Sequence, residues 1–330
     1  MVHFGNWIKT IAITTTVTAM MAAAGAADTL KFAHVYEVSH PLHKAAEMVA
    51  EQVAEKTEGR LQIEVFPASS LGKEVDLNEG LSLGTVDIIY TGAGFAGTLY
   101  GPASMTDFPF TLRNLKHWEA YFDSDIFDGV SQGYSDATGG NEIAAVSYYG
   151  SRHVTANKPI LTPDDMADLK IRVPNAPAYV LFPQAIGANP TPMAFSEVYL
   201  ALQQGVVDAQ ENPLTTIQAK KFHEVQTNIN LTGHITNSIY TVVSSIRAAQ
   251  LSEEDKAILY GALDETADWV TDEIVAAEGE LADWFRAEGI TVNEVDRAPF
   301  IKAVAPALTS GDLPFPGDLY ESLQALKDAE

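Results

Sequence analysis

Thr29-Leu30-Lys31-Phe32-Ala33-His34-Val35 opens the stretch that decides the fold. Apolar and polar residues alternate along it, the two-residue period of a strand. Pro41 to Lys56 follows. Leu42, Ala45, Ala46, Val49 and Val53 form a helical stripe there, and Pro41 sits in the first turn, where its missing N–H is tolerated. Gly59 ends the helix. Leu61, Ile63 and Val65 alternate again, Lys73 to Leu83 reads as a second helix, and Val86 to Tyr90 as an apolar strand. Strand, helix, strand, helix, strand implies a parallel sheet in an α/β domain. Such sheets bind ligands outside the carboxyl ends of their strands, here His34–Glu37, Pro67–Glu74 and Thr91–Gly94.

Upstream, Lys9 and the mostly apolar run Ile11 to Ala24 read as an export signal, with Ala24-Gly25-Ala26 as the cleavage site. The run is shorter than the roughly 18 apolar residues that a membrane span needs. Cleavage after Ala26 leaves a soluble exported protein. The chain has no cysteine, so it has no lipid-anchor cysteine, disulfide, thiol nucleophile or thiolate metal site. With 20 basic and 44 acidic residues the net charge is −24, and loss of Lys9 with the signal makes it −25. That charge disfavours nucleic acid and anionic membrane surfaces. The roughly 300 residues that remain suit two domains.

Downstream, Ile143 to Tyr148 and Val154 to Lys158 read as two strands flanking a turn at Gly150, the crossover into a second domain. Ile171-Arg172-Val173 is a short strand stopped by Pro174. Tyr179 to Ile186 and Ser196 to Gln204 read as helices, the latter with Ser196 as its N-cap. Ser252 to Phe285 is mostly helical, and Ser252-Glu253-Glu254-Asp255 suits a helix N-terminus. No low-complexity linker is visible, which fits two lobes joined by several crossings.

Few motifs carry chemistry. Gly92-Ala93-Gly94-Phe95-Ala96-Gly97 matches the dinucleotide fingerprint, but it follows the third strand, and Pro102 interrupts the helix the fingerprint requires. These glycines instead suit a tight turn or a close backbone approach, and no cofactor is expected. His34, Glu37, His40 and His43 crowd the first strand end in no standard zinc spacing, so no metal is expected; capping or solvated imidazoles remain. Arg172 lies inside an apolar strand, where a charge is costly unless paired. It is either an internal salt bridge or a bidentate clamp for a ligand carboxylate. Asn212 offers an amide that both donates and accepts. Tyr90, Tyr148 and Tyr149 stand at strand ends, placed to stack on a sugar or donate hydroxyls. No nucleophile elbow, Walker loop or H-E-x-x-H occurs, so no catalytic residue is expected.

Two segments carry a resemblance. Pro190-Thr191-Pro192-Met193-Ala194-Phe195-Ser196-Glu197-Val198-Tyr199-Leu200-Ala201-Leu202-Gln203 is followed by Val207-Asp208-Ala209-Gln210-Glu211-Asn212-Pro213, and both come after Leu169-Lys170-Ile171-Arg172-Val173-Pro174. Together they resemble the solute-binding proteins of TRAP transporters (DctP-type), in the acidic-sugar branch. The resemblance implies a two-lobed α/β binding protein with a central cleft, a long helix bracing both lobes, and closure on a carboxylate ligand for delivery to a membrane permease. Lobe I would comprise 27–149 with about 238–277, lobe II 150–237 with about 278–330, and the protein would be a monomer. Arg172 would anchor the carboxylate and Arg152 give a second basic contact, unless Arg152 is a surface residue. Phe195 would be an apolar platform or ordinary core, and Glu211 either a ligand contact or a structural residue that holds an arginine or a backbone amide. Glu74, His40, Glu37, Tyr90 and Tyr149 complete the candidate ligand set with Asn212. The branch that binds sialic acid places an asparagine after the first strand and an acidic residue at the third. Here stand His34-Val35-Tyr36-Glu37 and the Thr91–Gly94 glycine loop, which favours a hexuronate such as galacturonate or glucuronate.

Overall fold

The computed structural model describes residues 28–329. The export signal expected at 1–26 lies outside them. The first half follows the expected order: β1 (Asp28–Ala33), α1 (Pro41–Lys56), β2 (Leu61–Phe66), α2 (Glu74–Leu83) and β3 (Ile88–Gly92). The short α3 (Ala93–Ala96), α4 (Leu115–Phe122) and α5 (Asp125–Ala137) lead to β4 (Glu142–Ala156). Then come β5 (Lys170–Val173), α6 (Leu181–Ala185), β6 (Asn189–Pro192), α7 (Val198–Gln203), β7 (Ala209–Asn212), α8 (Leu214–Ala219) and β8 (Asn228–Val243). The chain closes with α9 (Ser245–Ala248), α10 (Glu253–Ala287), β9 (Thr291–Glu294), α11 (Ala298–Leu308) and α12 (Gly317–Ala325).

Among the described residues the strands form one sheet, ordered β2-β1-β3-β8-β4-β7-β5-β6, with β9 on β8. β1 runs parallel to β2 and β3, and β5 parallel to β6 and β7. Two long antiparallel strands join the halves. β8 pairs with β3 at Ile239–Val243 and with β9 at Asn228–Leu231, while β4 lies along it from end to end. The sheet passes from one lobe into the other through this ribbon.

α1 forms where its stripe predicts. His40 Nδ1 accepts from the Leu42 amide at 3.2 Å, capping one orphan donor of the first turn. Leu42, Ala45, Ala46, Val49 and Val53 are buried. α10 starts at Ser252, whose Oγ accepts from the Asp255 amide at 3.0 Å, above three acidic residues that suit the positive end of the helix. It braces both lobes. Leu259, Leu263, Val270 and Ile274 enter the core that holds β1 and α1, and Leu281 and Phe285 enter the core that holds α7 and α8.

Three local expectations change. Residues 142–156 make one strand, not two with a turn between them. Gly150 has φ +106° and sits at a register shift against β8, so it forms a bulge that bends the strand without ending it. The helix expected at Tyr179 begins at Leu181, because Pro177–Val180 is a 3₁₀ turn that leaves Tyr179 in the loop after β5. Ser196 caps nothing; it lies inside a 3₁₀ turn, Phe195–Glu197, that runs into α7. Gly92–Gly97 spans the end of β3 and the four-residue α3, far short of a dinucleotide helix.

Candidate functional site

The carboxyl ends of β3 and β5 face each other across the line between the lobes, where they line a cavity of about 30 Å³ that adjoins a second of about 150 Å³ at Glu74, Phe95, Arg172 and Phe195. Of the residues singled out in the sequence, Arg172, Arg152, Asn212, Phe195, Glu74 and Tyr149 line it. Glu37, His40 and Tyr90 do not.

Arg172 is the third residue of β5, between Thr191 of β6 and Gln210 of β7. Its Nε and Nη2 donate to the Met193 carbonyl at 3.0 and 2.7 Å. Its Nη1 is buried and has no hydrogen-bond partner among the described residues. Burial pulls this guanidinium down to about 10 while Glu211 opposes the fall, so it is charged at neutral pH. Among the described residues no carboxylate pairs with it directly. It offers a charged donor to the cavity, with the Phe195 ring 5.9 Å from Cζ. Lys220 Nζ lies 5.2 Å from the same ring, so Phe195 carries two cations.

Arg152 differs. Its Nε and Nη2 grip the Glu211 carboxylate as a fork, with Nη2 to Oε1 at 2.7 Å, and Nη1 donates to Asn237 Oδ1 at 2.9 Å. Burial works against both charges, but each stabilises the other: Arg152 is raised, and Glu211 is held at about 2 with help from His234 Nε2 at 3.2 Å. Arg152 therefore lines the cavity as half of an internal ion pair and is not a surface residue. Glu211 is the arginine holder. Asn212 is also drawn inward, its Nδ2 donating to Gln210 Oε1 at 2.6 Å.

Two carboxyls face the cavity region from lobe I. Glu74, the first residue of α2, accepts from the Gly92 amide at 2.7 Å and from Thr91 Oγ1 at 3.2 Å. Burial raises it to about 7 despite those donors. Asp107, in the 3₁₀ segment Gly101–Asp107, accepts from the Gly94 amide at 2.7 Å, from Asn237 Nδ2 at 2.6 Å and from Tyr179 Oη at 2.5 Å. Burial raises it to about 6. Both carboxyls straddle neutrality, so each can donate to or accept from a hydroxyl.

The three residues outside the cavity have other partners. Glu37 pairs with Lys220 across the lobes. His40 caps α1 and sits 3.2 Å from Thr216 Oγ1, which in turn donates to Tyr149 Oη at 2.6 Å. Burial pushes its imidazole down to about 3, so it is neutral. Tyr90 packs in the lobe I core, 4.7 Å from the Phe32 ring. His34 and His43 bond each other at 3.2 Å. Among the described residues no group of three His, Cys, Asp or Glu side chains could hold a metal.

Sequence reasoning missed Tyr36, Asp107, Tyr179, Asn237 and Lys220. Tyr36 and Tyr179 line the cavity with Asn237. Tyr179 had a usable signal, since Asn175-Ala176-Pro177-Ala178-Tyr179 is the loop at the carboxyl end of β5. Asp107 had none, because its partner Tyr179 is 72 residues away.

Comparison with known proteins converges on one family. Residues 32–311 match the family model described as bacterial extracellular solute-binding protein, family 7 (DctP). The chain is 36% identical over 306 residues to a solute-binding protein of Roseobacter denitrificans, covering 91% of this chain and 93% of the relative. That protein's crystal structure with bound L-galactonate aligns with a TM-score of 0.84 at 34% identity, covering 90% of this chain and 98% of the other. The sialic acid-binding periplasmic protein SiaP of Vibrio cholerae is 37% identical over 298 residues, 90% of this chain and 92% of its own. A second TRAP binding protein from Roseobacter denitrificans, with bound β-D-glucuronate, aligns at a TM-score of 0.85 and 28% identity, covering 91% of this chain and all of the other. The two lobes, the bracing helix and the cleft between them are those of a binding protein, not an enzyme, and the chain belongs to the DctP family of TRAP-transporter solute-binding proteins.

Proposed function

We propose that this protein captures a hexuronate, such as galacturonate or glucuronate, in the periplasm and hands it to the membrane permease of a TRAP transporter. The observation that carries this reading is Arg172, which lines a cavity between two lobes and whose buried Nη1 has no partner among the described residues. A charged donor in that position is satisfied by a ligand carboxylate. Phe195 supplies an apolar floor, while Glu74 and Tyr149 supply hydroxyl partners. Ligand contacts from both lobes stabilise the closed arrangement over an open one. Lobe I is taken as 27–149 with about 238–277, and lobe II as 150–237 with about 278–330, except that α12 rests on α5 of lobe I. The protein acts as a monomer, freed from its signal near Ala26.

Sialic acid is the second reading, favoured by the 37% identity to the Vibrio cholerae protein. A melting-temperature screen separates the readings, because a ligand that binds only the native state raises its stability. Galacturonate and glucuronate should raise the melting temperature more than N-acetylneuraminate does, the reverse order would favour sialic acid, and glucose and galactose should not raise it. Equal stabilisation by glucose and glucuronate would sink the carboxylate anchor.

A further inference from the structure

Tyr179 comes from the loop after β5 and meets the turn that ends β3 on the opposite lobe. Its ring lies against bare backbone. A Cβ on Gly94 would stand 2.7 Å from Tyr179 Cε2, and one on Gly92 would stand 2.8 Å from Tyr179 Oη. Side-chain carbons do not approach that closely. Neither glycine has a positive φ, so backbone conformation does not call for them. Close approach does. Gly92 and Gly94 form a notch, and Tyr179 fills it.

The ring is held on other sides as well. Its hydroxyl donates to Asp107 Oδ2 at 2.5 Å, and Asp107 is itself fixed by Gly94 and Asn237. The Arg152 guanidinium stands 5.1 Å from the ring centroid, and Arg152 is locked to Glu211. Tyr179 is a rigid wall of the cavity that Arg172 also lines. That cavity, about 30 Å³, takes about two waters at 10–15 Å³ each. A sugar acid enters only as the lobes draw apart, and each added carbon asks for more room. Moving Tyr179 to supply it would strip buried Asp107 of a partner, a penalised step.

We propose that Tyr179 sets the upper size of the acid this cleft accepts, admitting six-carbon sugar acids and excluding nine-carbon ones. The proposal rests on the sugar-acid reading of the same cleft. It assigns specificity to a residue other than the carboxylate anchor, through a notch made by two glycines.

Calorimetric titration of the full mature chain tests it with galacturonate, glucuronate and L-galactonate against N-acetylneuraminate. Wild type should bind its preferred six-carbon acid at least about 100-fold more tightly than N-acetylneuraminate, the discrimination that a well-packed wall gives against added carbons. Tyr179→Ala removes the wall and should narrow the ratio to about tenfold or less, mainly by strengthening the larger acid. Tyr179→Phe keeps the ring and should keep most of the ratio. If Tyr179→Ala does not fold, Tyr179→Leu serves, because it fills the core but cannot reach Asp107. Equal affinity of wild type for both sizes overturns the wall and leaves the sugar-acid reading standing. A folded wall-less variant with an unchanged ratio does the same. Binding of none of the four acids overturns the sugar-acid reading, and the wall with it.

Discussion

Arg172 and Arg152 carry the same charge into the same cleft, and the fold treats them in opposite ways. Arg152 is bound by Glu211 and Asn237, whereas Arg172 gives two bonds to one carbonyl and its Nη1 has no partner among the described residues. Arg172→Ala should therefore cost the complex roughly 3–5 kcal/mol, the penalty for stranding a buried charge, or about 100- to 5,000-fold in affinity. The apo protein should tolerate the change better than the complex does, because it loses two bonds to the Met193 carbonyl but strands no paired carboxylate. Arg172→Lys keeps the charge but loses the fork, so it should also bind weakly. Calorimetry together with apo melting curves checks this; normal binding by a folded Arg172→Ala protein would exclude the anchor. Glu74 makes a pH-dependent prediction. Its folded pKa is raised from 4.5 to about 7, so its favourable contribution is full below 4.5 and is lost as pH rises through 7. Glu74→Gln does not titrate, so its melting temperature relative to wild type should be higher at pH 8 than at pH 5. A difference that does not vary with pH would show that this carboxyl is not shifted. At this scale the sequence was only partly legible. Arg172 announced itself because a charge in an apolar strand demands a reason. Glu211 was open to an arginine partner, but that the partner is Arg152 was not legible, because 59 residues separate them and the β4–β7 register brings them together.

The elements were easier to read than their joints. The stripe of α1, the alternation of β2 and the cap of α10 are local signals, and local chemistry satisfied them. β4 was divided wrongly because a glycine between apolar runs looks like a turn, and only the partner strand reveals a bulge. Gly150 repays a direct test. An added Cβ would meet Glu278 Oε1 and Pro213 Cβ at 3.0 Å each, at a φ of +106° that favours glycine. Glu278 belongs to α10, and it accepts from the Ser151 amide at 2.5 Å and from Tyr148 Oη at 2.8 Å. The bulge thus presents β4 to the bracing helix. Gly150→Ala should destabilise the protein by roughly 1–3 kcal/mol, the cost of a strained backbone position. Chemical denaturation measures it, and a neutral effect would mean that the bulge relaxes freely.

Across the whole molecule, a few polar links span the lobes: Glu37–Lys220, Lys73–Glu197 at 3.2 Å, His40–Thr216 at 3.2 Å and Tyr179–Asp107 at 2.5 Å. The Lys73–Glu197 pair is about half exposed and adds little, since such pairs give roughly 0–1 kcal/mol. A ligand bridging the lobes adds what these links lack. Solution scattering should show a smaller radius of gyration at saturating hexuronate than without it, and an unchanged profile would count against closure. The net charge of −24 gave no hint of an anion site, because it describes the surface and the cations that matter here are buried. The two-lobed plan was legible through the resemblance of residues 169–213. The seat of α12 was not, because it depends on distant contacts such as Arg113 with Asp328. The β4–β8 ribbon has one further consequence. Each lobe borrows its central strands from a pair that belongs to both, so neither is a self-contained stretch of chain. Cutting the polypeptide near Gly150 would not release two receptors' halves that fold alone; it would leave each without the middle of its sheet. The molecule opens like two bodies and should melt as one, in a single cooperative transition.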